Sequence, residues 1–366
     1  MTSTYRFTLE LSTSYPHTQI TADINADYRR LRVIEMSFKN IIEQKEAKRI
    51  LQSAIKNNRL SHAYLFVGPD GVGKRLIAKT LAKTLNCQKG DIDSCDECRN
   101  CIRIDLNEYP DVKVIEPTGT SIKIEKMREI RREASFKPLE GKKKVYIIQE
   151  ASAMTQPAAN SLLKTLEEPQ GETLFILTTS NIHGLLPTII SRCQLVRFRP
   201  LSTKVIEDFL IKKRGITNDE AYMASNLSEG SIGKALRMAN SEKKELRNRV
   251  IDLIAKISLK DVEGIFKTAR EFTQDRDQIP FVLSIISSWY RDLLIFKESE
   301  GSASLVNIDK KEGITKEVEK YSREEIEEAL SLLLRTVDYI KRNVNPQLAI
   351  ENILLKIATT KAQKDT

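Results

Sequence analysis

The sequence contains no long apolar run and no leader of the kind that sends a protein into or across a membrane. No run in its 366 residues approaches the roughly 20 apolar residues of a membrane span. The first 35 residues lack the apolar core and small-residue cleavage site of a secretory signal. These absences predict a cytoplasmic protein without a membrane partner, in a compartment where disulfides rarely persist.

The charge balance is also far from either extreme. There are 59 Lys and Arg residues against 50 Asp and Glu, a net charge of +9. This excess favours anionic partners such as nucleic acid, although it is also typical of an ordinary solvated surface. Apolar residues make up 40% of the chain, enough for buried cores, and the length predicts two or three domains.

Residues 1–35 differ in composition from the rest of the chain. They contain Thr, Ser and Tyr without a sustained period, and Met36 then begins a segment, residues 37–42, that is typical of a natural protein start. We predict that residues 1–35 are an extension from an upstream start codon and are not native. A genuine short β element is the alternative.

Residues 68–74 have the spacing of a phosphate-binding loop, G-x-x-x-x-G-K. The apolar run Ala63–Val67 predicts a strand before the loop, and residues 76–85 predict a helix whose N-terminus faces the phosphates. ATP or ADP would be held by Gly68, Gly71, Gly73, Lys74 and Arg75. Because Arg75 replaces the hydroxyl that holds Mg²⁺, the pattern favours binding over hydrolysis. A glycine-rich turn without a ligand is the alternative.

Four of the five cysteines are clustered after that predicted helix, at Cys87, Cys95, Cys98 and Cys101. Two overlapping C-x2-C turns bring thiolates to one point and the fourth arrives from the helix end, so the spacing predicts a closed tetrahedral Zn²⁺ site. None of the three histidines is nearby to suggest an open catalytic position. Structural zinc would staple a loop-rich insertion at residues 87–101. A disulfide pair is the alternative.

A second buried strand, predicted over residues 145–151, contains Gln149 and Glu150 near its end. In an active site such a strand normally ends in Asp-Glu, where Asp orders the Mg²⁺ shell and Glu polarises the attacking water. Gln149 is neutral and cannot compensate a divalent cation, so Glu150 is a vestigial catalytic candidate. A polar strand end is the alternative for Glu150.

A third apolar strand, Thr173–Thr179, is followed by Asn181. A polar residue at this point could sense a γ-phosphate, or it could serve turn chemistry alone. Further along the chain, Arg192 and Cys193 precede a short apolar run at residues 194–198. Taken singly, Arg192 carries no functional signal, because surface arginines are common.

Together these motifs resemble the bacterial clamp-loader subunits of the AAA+ class, from about Met36 to the C-terminus. The resemblance rests on the motif order and on four segments, residues 61–66, 160–169, 191–193 and 345–351. It implies a role in DNA replication, in which a sliding clamp is placed on primed DNA. It also implies that Arg192 is an arginine finger given to the ATP site of the adjacent subunit.

That family contains ATP-hydrolysing gamma/tau motors and a stator subunit whose nucleotide site is degenerate. Arg75 and Gln149 depart from the motor pattern, and Gly233 stands where the motors carry a sensor arginine. These losses favour the stator, with weak nucleotide binding and negligible hydrolysis. A gamma/tau-type motor using Lys74 and Glu150 is the alternative within the family, and a stand-alone AAA+ DNA remodeller is the alternative outside it.

The resemblance and the apolar pattern together predict the domains. We expect an α/β AAA+ domain at residues 36–200, with a parallel sheet flanked by helices and the zinc-binding insertion. An all-α lid at 201–240 and an all-α collar at 241–366 would follow. Residues 299–313 are expected to be a mobile connection.

Two apolar groups are expected inside the collar. Trp289 and Tyr290 are predicted to be core residues. A helical stripe, for core or subunit contact, comprises Ile326, Leu330, Leu333, Leu334 and Val337.

The resemblance implies gamma/tau and delta as partners in a hetero-pentameric ring, together with the sliding clamp and primer-template DNA. A predicted helix carries basic residues that could follow DNA phosphates, namely Lys123, Lys126, Arg128, Arg131 and Arg132. A solvated helix face is the alternative. Because no arrangement of aspartates suits nucleotidyl transfer, we expect any polymerase activity to belong to the assembly.

Overall fold

A computed structural model describes residues 37–90, 92–168, 171–239, 241–276, 278–299, 305–341 and 344–362. The prediction about residues 1–35 therefore lies outside the described residues. The chain divides into two compact units. The first comprises the described residues up to Phe66 with Arg75–Thr178 and Ile182–Val196, and the second comprises Val67–Lys74, Thr179–Asn181 and the described residues from Arg197. The domain boundaries proposed from the sequence remain predictions.

Five strands form one sheet in the order β2-β3-β4-β1-β5. They are β1 (Ala63–Val67), β2 (Val112–Ile115), β3 (Lys144–Ile148), β4 (Thr173–Thr179) and β5 (Gln194–Arg197). Strand β3 pairs in parallel with both β2 and β4. Every residue of β3 and β4 is buried, as expected for the centre of a parallel sheet covered on both faces.

Among the described residues, six helices accompany the sheet. They are α1 (Lys45–Lys56), α2 (Lys74–Asn86), α3 (Arg99–Asp105), α4 (Ile124–Ala134), α5 (Gln156–Glu167) and α6 (Pro187–Ile190). Helix α5 begins where the Thr155 hydroxyl accepts the backbone N–H of Ala158, with Pro157 in its first turn. The predicted class, a parallel sheet flanked by helices, is confirmed.

The described residues after Arg197 form helices and short 3₁₀ turns without a strand, as predicted. The helices are α7 (Thr203–Arg214), α8 (Asn218–Leu227), α9 (Ile232–Met238), α10 (Ser241–Lys256), α11 (Val262–Thr273), α12 (Ile279–Glu298), α13 (Lys311–Val318), α14 (Arg323–Lys341) and α15 (Pro346–Ala362). Ser202 caps α7 and Ser231 caps α9, each by accepting a backbone N–H three residues on.

Helix α12 is at the centre of the helical core. Trp289 and Tyr290 are buried there, which confirms the sequence prediction. By length and composition α12 is also apolar enough to cross a membrane, although Arg291 and Asp292 interrupt its apolar run. This is weak evidence for a span, because 56% of its most apolar stretch is buried inside the structure.

One expectation about this helical region is wrong in part. The connection expected at residues 299–313 ends earlier, because Gly313 lies inside α13, while residues 300–304 lie outside the described residues. The Asp292 carboxylate accepts the backbone N–H groups of Val306 and Asn307, at 3.0 and 2.7 Å. In the predicted stripe, Ile326 and Leu333 are buried, whereas Leu334, which lies to one side of them on α14, is 69% exposed; core and subunit contact both remain open for the stripe.

Candidate functional site

The phosphate-binding loop joins β1 to α2, as the sequence predicts. Gly71 (φ +73°) and Gly73 (φ +105°) have left-handed backbone conformations that other residues rarely adopt. The Lys74 side chain is only 6% exposed and bonds within the loop, to the carbonyl oxygens of Gly68 and Pro69 and to the carboxylate of Asp70. A phosphate would therefore share the lysine with Asp70.

The N-terminus of α9 packs directly against this loop. The backbone N–H of Gly233 donates to the carbonyl oxygen of Gly71 at 3.0 Å. A Cβ at Gly71 would lie 2.3 Å from the Ser231 hydroxyl oxygen, and a Cβ at Gly233 would lie 3.0 Å from the Gly71 Cα. The contact is thus made between two backbones. The next residue, Lys234, ion-pairs with Glu229 at 2.6 Å.

In the first unit, the side chains of Arg75 and Gln149 both bond to the carboxylate of Glu116. Glu116, directly after β2, accepts the Arg75 guanidinium at 2.8 Å and the Gln149 amide at 3.2 Å. Both side chains of the Arg75–Glu116 pair are about half exposed. Arg75 and Glu116 also line a cleft of about 720 Å³ beside β2 and α4. The two sequence positions that depart from a magnesium site are therefore joined by a third residue.

Glu150 and Asn181 both lie just beyond strand ends. Glu150 has a left-handed backbone (φ +44°), and its N–H donates to the Thr178 hydroxyl at 3.3 Å. The backbone N–H and carbonyl of Asn181 both bond to the Thr179 hydroxyl, at 3.1 and 3.0 Å. This arrangement forms a turn, while a phosphate-sensing role for Asn181 stays a prediction.

The structure brings the four clustered cysteines together. Their sulfur atoms lie within 4.8 Å of one another, and the Cys87–Cys95, Cys87–Cys98 and Cys95–Cys101 separations are 3.5, 3.9 and 4.0 Å. Tetrahedral Zn²⁺ with Zn–S bonds of ~2.3 Å requires S···S separations of ~3.8 Å. No disulfide joins the four cysteines in this structure. The group could therefore hold a metal ion.

Backbone N–H groups point at these sulfur atoms. Gly90 N–H donates to Cys87 at 3.0 Å, and Cys98 N–H donates to Cys95 at 3.3 Å. Burial by itself raises the pKa of the Cys87 thiol, but the surrounding hydrogen bonds outweigh it and lower that pKa to about 7. Burial raises the pKa of Cys101 well above its usual range. A metal ion would have to displace the Cys101 proton.

Charged residues tie the cysteine segment to its surroundings. The Lys83 ammonium is fully buried on α2 and lies 2.6 Å from Asp96 and 3.0 Å from Asp105. The Asp96 carboxylate also accepts the backbone N–H of Ser37 at 2.8 Å, and Asp93 accepts that of Phe38 at 2.7 Å. The segment is therefore anchored both to α2 and to the first described residues.

Arg192 follows α6, and its side chain is about one-third exposed. Its guanidinium ion-pairs with Glu167 and donates to the Thr188 carbonyl oxygen at 2.9 Å. Burial raises the pKa of the neighbouring Cys193 thiol to about 12, so this cysteine stays protonated at neutral pH. The Cys193 thiol is therefore expected to be a poor nucleophile.

Helix α4 carries the basic residues proposed to follow DNA. Lys123, Lys126, Arg128, Arg131 and Arg132 are all exposed, whereas Met127, Ile130 and Ala134 are buried. Lys126 ion-pairs with Glu129 at 2.8 Å on the same face. Both readings of this helix, DNA contact and solvated face, remain compatible with these positions.

Sequence reasoning missed Glu116, Glu167 and the buried Lys83. Glutamates and lysines are common on helices and at strand ends, and nothing in their spacing marks a partner distant in the chain. A weak signal existed for Glu167, because it belongs to the 160–169 segment on which the family resemblance rests.

A five-stranded parallel sheet of this order, with a phosphate-binding loop after β1 and a helical region after β5, defines the AAA+ class of P-loop proteins. Within that class the chain belongs to the DNA polymerase III delta-subunit family. Residues 43–202 match the family described as "DNA polymerase III, delta subunit", and residues 241–359 match "DNA polymerase III, delta subunit, C terminal".

Two curated relatives agree with this assignment. The chain is 33% identical to DNA polymerase III subunit delta' of Bacillus subtilis, over 88% of this chain and 98% of the relative. It is 27% identical to subunit tau of the same bacterium, over 89% of this chain and 62% of tau. A gamma subunit-related protein of Thermotoga maritima has 22% identity and a TM-score of 0.47, with 87% and 99% of the two chains covered. The predicted membership of the clamp-loader subunits is confirmed, and with it a role in DNA replication.

Proposed function

We propose that this chain acts as a delta prime-type stator of the clamp loader, which does not turn over ATP itself and gives Arg192 to the ATP site of a neighbour. The observation that carries the proposal is the Arg75–Glu116–Gln149 cluster. Hydrolysis needs Mg²⁺ held by a hydroxyl and a carboxylate. Here those positions carry the Arg75 guanidinium and the Gln149 amide, and both groups bond to the Glu116 carboxylate.

The loop glycines and Lys74 support weak binding of ATP or ADP without hydrolysis. Lysine attracts phosphates as a point charge and needs no metal to do so. The Gly71–Gly233 contact provides no sensor side chain from position 233. Glu150 would then be a remnant of the ancestral catalytic strand.

The partners follow from the same proposal. The chain would join gamma/tau and delta subunits in a hetero-pentameric ring in the cytoplasm, which acts on the sliding clamp and on primer-template DNA. The exposed apolar Leu334 and Leu348 on α14 and α15 support a subunit contact in the collar. The exposed basic residues of α4 support sequence-independent phosphate contacts.

We also propose that the metal of the four-cysteine cluster is structural Zn²⁺. Four sulfur ligands at tetrahedral spacing leave no open position for a substrate, which is the pattern of closed zinc sites. Zinc would supply folding free energy to a segment that has little apolar core of its own.

Substitution of the finger tests the main proposal. In the assembled loader, Arg192→Ala should abolish ATP turnover at the adjoining site, because an arginine finger contributes roughly 10³- to 10⁵-fold in rate. Single-turnover hydrolysis measures this, and Arg197→Ala, at an exposed arginine nearby, is the matched control. Unchanged turnover in an intact Arg192→Ala complex would contradict the proposal.

A further inference from the structure

Arg192 is engaged by its own chain at both terminal nitrogens. Nη2 ion-pairs with the carboxylate of Glu167, and Nη1 donates to the Thr188 carbonyl oxygen at 2.9 Å and to the Ser191 hydroxyl oxygen at 3.3 Å. Arginine binds a phosphate bidentately through two parallel N–H groups. The fork formed by Nη1 and Nη2 is therefore already occupied within this subunit.

Packing determines where both partners of the ion pair lie. Glu167 is the last residue of α5, and the preceding Leu166 is 1% exposed. Arg192 follows α6, in which Ile189 is fully buried. Because buried residues anchor both helices, the carboxylate is held beside the guanidinium. The ion pair itself is open to water, with Glu167 47% and Arg192 32% exposed.

We propose that Glu167 is a positioning residue that retains the Arg192 guanidinium on its own subunit until a phosphate of the neighbour's nucleoside triphosphate displaces it. This inference rests on the proposed finger role of Arg192. The carboxylate and the incoming phosphate are both anions that compete for one cation. The Glu167 contact must be broken before the fork is presented, so it opposes the step in which the finger engages.

Glu167→Gln is the direct test, because the amide keeps the shape of the side chain and removes its charge. In the assembled loader, the single-turnover rate constant for ATP hydrolysis should rise by about 1.4- to 5-fold, the range expected for an exposed ion pair. The affinity for ATP should not change, because the Glu167 ion pair opposes the engagement of the finger and not the binding of the nucleotide. The difference should shrink at high salt, which screens exposed charges.

Glu168→Gln is the matched control. Glu168 is the adjacent exposed carboxylate and makes no ion pair with a described residue, so its substitution should leave the rate unchanged. An unchanged or lower rate in Glu167→Gln, within a complex that assembles normally, would overturn the inference. An equal rise in both variants would also overturn it, because the effect would then be one of general surface charge.

A second background shows whether Glu167 acts through Arg192. Arg192→Lys keeps the positive charge and loses the bidentate fork. If Glu167 acts through that fork, adding Glu167→Gln to Arg192→Lys should change the rate less than it does in the wild type. The same full effect in both backgrounds would overturn the inference. If Arg192→Ala leaves turnover intact, the proposed function itself fails; if Arg192→Ala abolishes turnover while Glu167→Gln changes nothing, only the inference fails.

Discussion

Lys83 is a buried charged residue of the first unit that makes two ion pairs. Its ammonium has no exposed surface and is neutralised by Asp96 and Asp105 from two different parts of the chain. Removing one member of a buried ionic group leaves uncompensated charge in a poorly solvated site. The residue therefore matters for stability although it touches no ligand.

We expect Lys83→Met to destabilise the fold by about 3–5 kcal/mol, because two carboxylates lose their buried counter-charge. Denaturant unfolding with zinc present measures the change. Lys89→Met is the matched control, since its ion pair with Glu97 is more than 60% exposed on both sides and should contribute little to stability. Equal changes in the two variants would contradict the role given to Lys83.

Among single residues, the sequence predicts those that belong to a short motif with a characteristic spacing. The four cysteines and the loop glycines follow from motifs a few residues long. Glu116, by contrast, contacts Arg75 and Gln149, which are 41 and 33 positions away in the sequence. Such contacts depend on how strands are ordered in the sheet, and a single sequence does not contain that information.

The cysteine segment is an element whose order would depend on its proposed metal. Cys87 directly follows α2, Cys98 caps α3 and Cys101 lies within α3. The sulfur atoms form a small cluster of their own, with little else packed against it. Helix α3 has only seven residues, too few to be stable alone. Its order should therefore depend on the ion.

We expect Cys95→Ser to lower the zinc content from one equivalent to well below half. The substitution removes one of the four thiolate ligands and leaves a three-sulfur site. Amide exchange should rise at residues 87–105 and at residues 37–39. Cys193→Ser is the control and should keep the full equivalent, since Cys193 lies outside the cluster. Full zinc retention in Cys95→Ser would contradict the proposed ligand set.

Most elements were predictable from the apolar pattern, with ends displaced by a few residues. Strand β4 matches its predicted range, and β3 ends three residues before the predicted end. Strand β2 was missed, because it has four residues of which only two are buried, so it shows neither a continuous apolar run nor a clear alternation. Helix α3 was missed because the visible pattern in its sequence is the cysteine spacing and not an apolar helical period.

At the scale of the whole molecule, the two units carry different parts of the proposed activity. The finger and the cysteine cluster belong to the first unit, whereas the phosphate-binding loop belongs to the second together with the helices after β5. The contact of the loop with α9 involves glycines 162 positions apart, so no local pattern reveals it.

We expect the purified chain to hydrolyse ATP at a negligible rate, because Arg75 and Gln149 provide no Mg²⁺ ligands. Any nucleotide it binds should be retained equally with Mg²⁺ or with a chelator, since Lys74 attracts phosphate without metal. Phosphate release and fluorescent-nucleotide titration measure the two quantities. Hydrolysis at rates typical of a gamma/tau motor would contradict the stator assignment.

The backbone contact between Gly71 and Gly233 has a consequence for the history of the site. Arg75 and Gln149 could each revert to a metal ligand by one substitution, and neither reversal would be opposed by a tight neighbour. At position 233 any side chain would begin 3.0 Å from the Gly71 Cα, so a sensor arginine there would require the loop or α9 to shift by a few tenths of an ångström. If this site has lost catalysis as proposed, restoring it would require a small backbone adjustment at Gly233 as well as new side chains at Arg75 and Gln149.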